Sequence, residues 1–343
     1  MLTDEIWMQR ALDLAQLGGG FVVPNPWVGC VVVRDGIMLG EGYHAHYGGP
    51  HAEVRAFEGI QDASGSTAYV SLEPCSHTGK TPPCANLLIK HQVQRVVICN
   101  LDPNPLVAGQ GVAKLQAAGI DVQIGVLSEK GELINRRFFY YHRNQRSYIT
   151  VKYASSADQF IAHSNGHAQV FSNAISHQLV HRLRAEHQAI LVGVNTANAD
   201  NPSLTTRSWP GNSPLRFVLD PQARMDDNLV LLQDEFPTYI FTYSVTKSVG
   251  NKQWIALGSV DYLKTFMTYC QENSIQSILI EGGARTIETF MQEIEVQEII
   301  HIESNEALDS GIAAPHIDES YAKKYSVGSN NSWRIQLGKE NLA

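Results

Sequence analysis

The sequence predicts an α/β protein of two domains. Three observations carry that prediction. Short apolar, β-rich runs alternate with stretches of helical periodicity, the pattern of a largely parallel sheet with helices on its faces. At 343 residues the chain can hold two ordinary cores. A polar break, HRNQRS at 142–147, separates two series of such elements, so the domains are expected at 1–146 and 147–343.

The elements follow in order. Residues 4–17 have 3.6-type spacing behind Thr3 or Asp4, either of which suits an N-cap. VGCVVV (28–33) is an apolar strand. Residues 51–59 read as a helix, TAYVSLE (67–73) as a strand, and PCANLLIKH (83–91) as a helix with Pro83 near its start. RVVICN (95–100) is a strand, followed by helix 109–118, strand 121–125 and helix 128–140. Beyond the break come strand 148–154, helix 176–187, and strands 189–193, 215–220, 238–243 and 277–283. Helix 284–293 and one late strand complete the pattern.

Composition narrows the function. A hydrophobic fraction of 43% with 17% charged residues describes a globular protein. The net charge of −8, with no long basic stretch to offset it, excludes an extended nucleic-acid backbone as the expected partner. A small phosphorylated ligand needs only a few local cations or amides. The early acids in MLTDEIWMQRALDLAQL do not make a secretory signal. No apolar run approaches the roughly 20 residues that span a bilayer. A cytoplasmic protein is therefore expected. In a reducing compartment Cys30, Cys75, Cys84, Cys99 and Cys270 are expected to stay free.

Two stretches carry metal chemistry. His51-Ala52-Glu53 opens a helix, and alone it reads equally well as a solvated cap. LEPCSHTGKTPPC (72–84) supplies Cys75 after a strand and Cys84 at a helix start. One imidazole and two thiolates meet the demand of a catalytic zinc, which takes three protein ligands and keeps a fourth position open. Glu53 is too close in sequence to His51 to be an ordinary fourth ligand. It is placed to shuttle protons between water and a leaving amine. The order matches the H-x-E…P-C-x-x-C layout of zinc base deaminases, with the second cysteine nine residues after the first instead of three.

HAEV, EPCSHTGKTPPC, DPNPLVAGQG (102–111) and PNPWVG (24–29) together resemble the bifunctional deaminase–reductase family of riboflavin biosynthesis. The resemblance covers nearly the whole chain. It implies a cytidine-deaminase-like N-terminal domain followed by a dihydrofolate-reductase-like C-terminal domain. The first would remove an amine from a diaminopyrimidinone carrying ribosylamine 5-phosphate. The second would reduce the ribosyl chain to ribityl with NADPH. By the same resemblance His51, Cys75 and Cys84 hold Zn2+ and Glu53 is catalytic. Asn25 meets the pyrimidine, and His77 and Lys80 meet the sugar phosphate, where an ammonium suits the anion. A homo-oligomer is the expected assembly.

In the second domain the signal lies in KYASSAD (152–158), LRAEHQAILVGVNTANADNPSLTTR (183–207) and ILIEGGART (278–286). A glycine pair between strand and helix offers free N–H groups to a phosphate, though tight turns use glycine as often. No G-x-G-x-x-G follows a strand. The resemblance assigns Ala154, Thr196, Asp200 and Gly283 to NADPH, and Arg184, Leu204, Arg207 and Glu281 to substrate. Guanidinium groups fit a ribose phosphate; without the resemblance the two arginines read equally as surface ion pairs. Three positions depart from the family pattern. Gln159 replaces a glycine free to take positive φ. Ala168 lacks a hydroxyl, and Val170 lacks an indole that the neighbouring Phe171 can partly replace. One lost hydrogen bond or stacking face costs about 1–3 kcal/mol. A deaminase whose second domain no longer reduces is thus the alternative. An RNA-editing deaminase is disfavoured by the acidic charge.

Overall fold

The computed structural model describes residues 3–76, 82–104, 107–164, 171–316, 322–327 and 331–337. The chain divides into two compact units, Met1–Gln145 and Arg146–Ala343.

The first unit begins with helix α1 (Asp4–Gly18) and the strands β1 (Gly29–Arg34) and β2 (Ile37–Tyr43). Helix α2 (Ala52–Ala56), strand β3 (Thr67–Leu72), helix α3 (Cys84–Lys90) and strand β4 (Arg95–Asn100) follow. Helix α4 (Gln110–Ala117), strand β5 (Asp121–Ile124) and helices α5 (Ser128–Ile134) and α6 (Arg136–Asn144) close the unit. The sheet runs β2-β1-β3-β4-β5. β1 is antiparallel to both neighbours, and β3, β4 and β5 are parallel. The apolar run of β1 is explained by burial on both faces. Cys30 and Val32 enter a core with Ala52, Ala56 and Leu88, while Val31 and Val33 pack with Met8 and Leu12 of α1.

Two expectations change here. β2 is an additional strand. The helix expected over 128–140 is two helices, because Asn135 leaves the α region at φ −105°, ψ 22°. Fully buried Leu88 seats α3, the helix that carries Cys84, on the sheet. Leu88→Ala is expected to cost about 2–5 kcal/mol, read as a lower denaturant midpoint for the first unit.

The second unit is a ten-stranded sheet. From edge to edge it contains Lys247–Val249, Lys252–Ala256, Thr238–Thr242, Leu215–Leu219, Ala189–Gly193, Ser277–Ile280, Tyr148–Ser155, Glu298–Ser304, Asn331–Leu337 and Lys323–Val327. From Lys252–Ala256 to Glu298–Ser304 every pairing is parallel; the outer pairings are antiparallel. One face packs Ile149, Val151 and Phe266, and the other packs Ile190, Val192 and Ile302. Helices Val194–Asp200 and Tyr262–Glu272 and strand Glu298–Ser304 lie outside the sequence expectation. Among the described residues no helix is long and apolar enough to cross a membrane.

Candidate metal centre and cofactor pocket

His51 is the N-cap of α2, with extended backbone at φ −69°, ψ 161°. The geometry holds the imidazole at the helix mouth and puts Glu53 in the first turn. Cys75 lies three residues beyond β3, and Cys84 is the first residue of α3. Pro83 as N-cap starts that helix without a surplus N–H. Nδ1 of His51 is 3.2 Å from Cys84 Sγ and 3.6 Å from Cys75 Sγ. The three donor atoms lie within 4.8 Å of one another. Zinc–ligand bonds of about 2.0–2.3 Å put tetrahedral donors roughly 3.4–3.8 Å apart, so this donor set fits the ion in chemistry and spacing.

The charges are arranged for the same purpose. The Cys75 thiol is held well below its ordinary range by the Cys84 thiol that hydrogen-bonds to it. His51 and the Cys84 N–H, 3.3 Å from Sγ, act in the same direction. The Cys84 thiol is pushed up by its bond to Cys75 and by burial. His51 is raised by its contact with Cys75 against the effect of burial. Glu53, 3% exposed, is pushed up to about 7 by burial first and by the negative charge of Cys75 second. A carboxyl poised there exchanges protons readily at neutral pH.

Asn25 reaches this site through a residue absent from the sequence expectations. Its Nδ2 lies 3.2 Å from Nε2 of His44, and His44 Nδ1 lies 3.0 Å from the carbonyl of Pro50, beside His51. Burial lowers the His44 pKa, so the ring is neutral, donating from Nδ1 to Pro50 and accepting from Asn25 at Nε2. The loop itself is pinned by Asn135, whose Oδ1 accepts from Trp27 N at 2.8 Å and whose Nδ2 donates to Trp27 O at 2.9 Å. A contact spanning 108 residues has no local signature. His44, one of two histidines in GYHAHYGG, has little more. His77 and Lys80 lie outside the described residues, as do Ala168 and Val170.

In the second unit a cavity of about 1050 Å³ is lined by Ala154, Arg184, Thr196, Asp200, Leu204 and Glu281. Gly283 and Phe171 lie on the same wall. Arg207 is not on that wall; its backbone N–H donates to His181 Nδ1 at 3.1 Å, and its guanidinium donates to Thr205 Oγ1 at 2.9 Å. Arg184 grips Glu281 through two bonds of 3.0 and 2.8 Å, with side chains 13% and 9% exposed. Burial opposes ionisation of Glu281, but the charge and hydrogen bonds of Arg184, and then Lys152, hold it down at about 2. Burial lowers the Lys152 pKa and raises that of Asp200. Gly283 caps helix Ala284–Glu293 and donates its N–H to Thr196 Oγ1 at 2.9 Å. A Cβ there would stand 3.0 Å from that oxygen, so any larger residue would crowd Thr196. Gln159 does adopt the left-handed conformation, φ +64°, and its Nε2 donates to Glu303 at 3.1 Å. Leu204, buried, also has positive φ, +54°, a conformation costing about 1–2 kcal/mol.

Residues 1–100 match the family model described as the cytidine and deoxycytidylate deaminase zinc-binding region. Residues 147–302 match the RibD C-terminal domain. The riboflavin biosynthesis protein RibD of Aquifex aeolicus is 40% identical over 299 residues, covering 84% of this chain and 83% of that one. The Escherichia coli protein of the same name is 37% identical over 327 residues, 87% of each chain. Among solved structures, Acinetobacter baumannii RibD superimposes with a TM-score of 0.87 at 32% identity, over 98% of this chain and 99% of that chain. The diaminohydroxyphosphoribosylaminopyrimidine deaminase/5-amino-6-(5-phosphoribosylamino)uracil reductase of Thermotoga maritima gives 0.88 at 33%, over 97% of each.

Proposed function

The chain belongs to the RibD family of bifunctional riboflavin-biosynthesis enzymes, and from that premise we propose how its residues divide the work. It is a zinc-dependent deaminase and an NADPH-dependent reductase. The first domain acts on 2,5-diamino-6-(5-phosphoribosylamino)pyrimidin-4(3H)-one, and the second, dihydrofolate-reductase-like domain reduces the ribosyl chain of the product. The convergence of His51, Cys75 and Cys84 around one point, with Glu53 buried beside it, carries this reading.

When bound, zinc supplies the Lewis acidity that makes water a nucleophile at neutral pH. His51, Cys75 and Cys84 would hold it. Glu53 takes a proton from water on its carboxylate and returns it to the departing amine. With its NH₂ engaged by His44, Asn25 keeps its side-chain oxygen for an N–H of the pyrimidine. His77 and Lys80 bind the phosphate.

NADPH, when bound, supplies the hydride. Ala154, Thr196 and Asp200 line its place. Gly283 presents the start of a ten-residue helix to its phosphates. Arg184, Leu204, Arg207 and Glu281 bind and orient the substrate. Two features support a working reductase: the cavity keeps its buried Arg184–Glu281 pair, and Gln159 takes the backbone conformation that glycine was expected to serve. The protein acts in the cytoplasm as a homo-oligomer on a small phosphorylated pyrimidine, without nucleic acid.

The test follows ammonia release and NADPH oxidation in one tube with the diaminopyrimidinone ribosylamine phosphate. Both signals are expected. Stripping zinc with a chelator should stop both, while the deaminated intermediate, added directly, should restore NADPH oxidation. Ammonia without NADPH loss would mean a deaminase with a silent second domain. Neither signal in folded, zinc-loaded protein would overturn the substrate assignment.

A further inference from the structure

The segment DPNPLVAGQG has no substrate role in the reading above. Both described ends of it bond to Glu73, whose side chain is buried, with the residue 5% exposed. One oxygen, Oε2, accepts the N–H groups of Asp102 at 3.3 Å and Gly109 at 3.0 Å. The other, Oε1, accepts those of Gly111 at 2.9 Å and Val112 at 3.2 Å. Gly109 is the N-cap of α4. Three of the donors are therefore unpaired amides of a helix start, where a negative charge is favoured. The first turn of α4 also lies hard against Pro74: a Cβ on Gly111 would stand 2.0 Å from the Pro74 carbonyl oxygen.

The next residue is Cys75. It belongs to no strand or helix, since β3 ends at Leu72. From the other side its carbonyl accepts the Ala85 N–H at 3.1 Å and its Sγ accepts the Cys84 N–H at 3.3 Å. Cys75 is thus held toward α3 by its own atoms and toward α4 through its neighbours, chiefly the buried Glu73 and Pro74 before it, with Ser76 Oγ donating to Gln110 Oε1 at 3.5 Å after it.

We propose that Glu73 is a positioning residue for the metal centre: by anchoring Pro74 and Cys75 on the start of α4, it sets where Cys75 Sγ stands. The N–H groups of Asp102, Gly109, Gly111 and Val112 are the backbone cradle that receives its carboxylate. The inference rests on the zinc reading of the first domain. Groups that orient metal ligands without touching the ion commonly govern how tightly it is held. Glutamine in place of Glu73 keeps the size but turns one acceptor oxygen into a donor. Part of the cradle would then face N–H against N–H.

The experiment uses the zinc-loaded full chain and times metal release into a chromogenic chelator. Glu73→Gln should release zinc about ten- to a hundredfold faster than the unmodified protein. Leu12→Ala, which opens a cavity under α1, is the control for lost stability and should release at the unmodified rate. With cobalt(II) in place of zinc, the d–d absorption should change for Glu73→Gln and not for Leu12→Ala. Gly109→Ala strains a residue at φ +74° without crowding any atom within 4 Å, and should show a smaller change in the same direction. That variant carries the test if Glu73→Gln does not fold. Release from both cradle variants at the rate of the unmodified protein, or no faster than from Leu12→Ala, overturns the proposal. An unmodified protein that holds no zinc overturns the metal reading and the proposal with it.

Discussion

Replacing Glu53 with glutamine should lower ammonia release about 10²–10⁴-fold, with zinc content unchanged and reduction of the deaminated intermediate intact. The size follows from the job. Glu53 has little water around it to take over proton transfer, and burial with the Cys75 charge poises it at about 7. The amide matches its shape but carries no exchangeable proton of that acidity. Steady-state rates for ammonia and for NADPH, measured separately, check this. A drop below tenfold in ammonia release would assign the proton transfer to another group.

Glu281→Ala should destabilise the second unit by about 3–5 kcal/mol and leave the transition of the first unit in place. Arg184 would remain buried with no counter-charge, which costs more than the pair was worth. Replacing both, Arg184→Met with Glu281→Ala, should recover much of the loss. The pH dependence has a defined sign. The folded-state pKa of Glu281 lies near 2 and its ordinary value is 4.5. Its contribution, on the order of 3 kcal/mol, is present above pH 4.5 and fades as pH falls from there toward 2. Denaturant titrations across that interval measure it. A pH-independent midpoint would show that the ion pair is stability-neutral. Both variants should also lose NADPH oxidation, because the same side chains face the cavity.

That His51, Cys75 and Cys84 gather with Glu53 buried nearby was legible because each sits in a short motif with the right element beside it. His51 caps α2, and Cys84 begins α3 behind Pro83. β2 was not legible. Gly40 and Gly42 interrupt its apolar pattern, and they are glycines because α2 presses on them; a Cβ would stand 2.2 Å from Ala56 O and 2.5 Å from Ala56 N. That pressure exists only in the folded chain. The break at Asn135 was hidden for a related reason. Helical periodicity continues through it, while its side chain is committed to Trp27. Helix Tyr262–Glu272 does carry Leu263, Phe266 and Cys270 at helical spacing. Strand Glu298–Ser304 is masked by buried polar residues, Glu298 at its start and His301 in its middle. His44 gave no signal, since its role depends on Asn25 and Pro50 arriving on either side of it.

The Trp27–Asn135 pairing also sets a birth order for the deaminase site. The match to the zinc-binding region ends at residue 100, and every zinc ligand lies before that point. A nascent chain of that length could gather His51, Cys75 and Cys84, and the loop carrying Asn25 would have its contact with His44 but lack its two bonds to Asn135. At about 5–20 residues per second of synthesis, seconds separate the last ligand from the arrival of Asn135. Closing so long a loop adds its own entropic cost. Metal capture can therefore precede the final fastening of the Trp27 loop during synthesis, which is complete only once the chain extends past the α5–α6 junction.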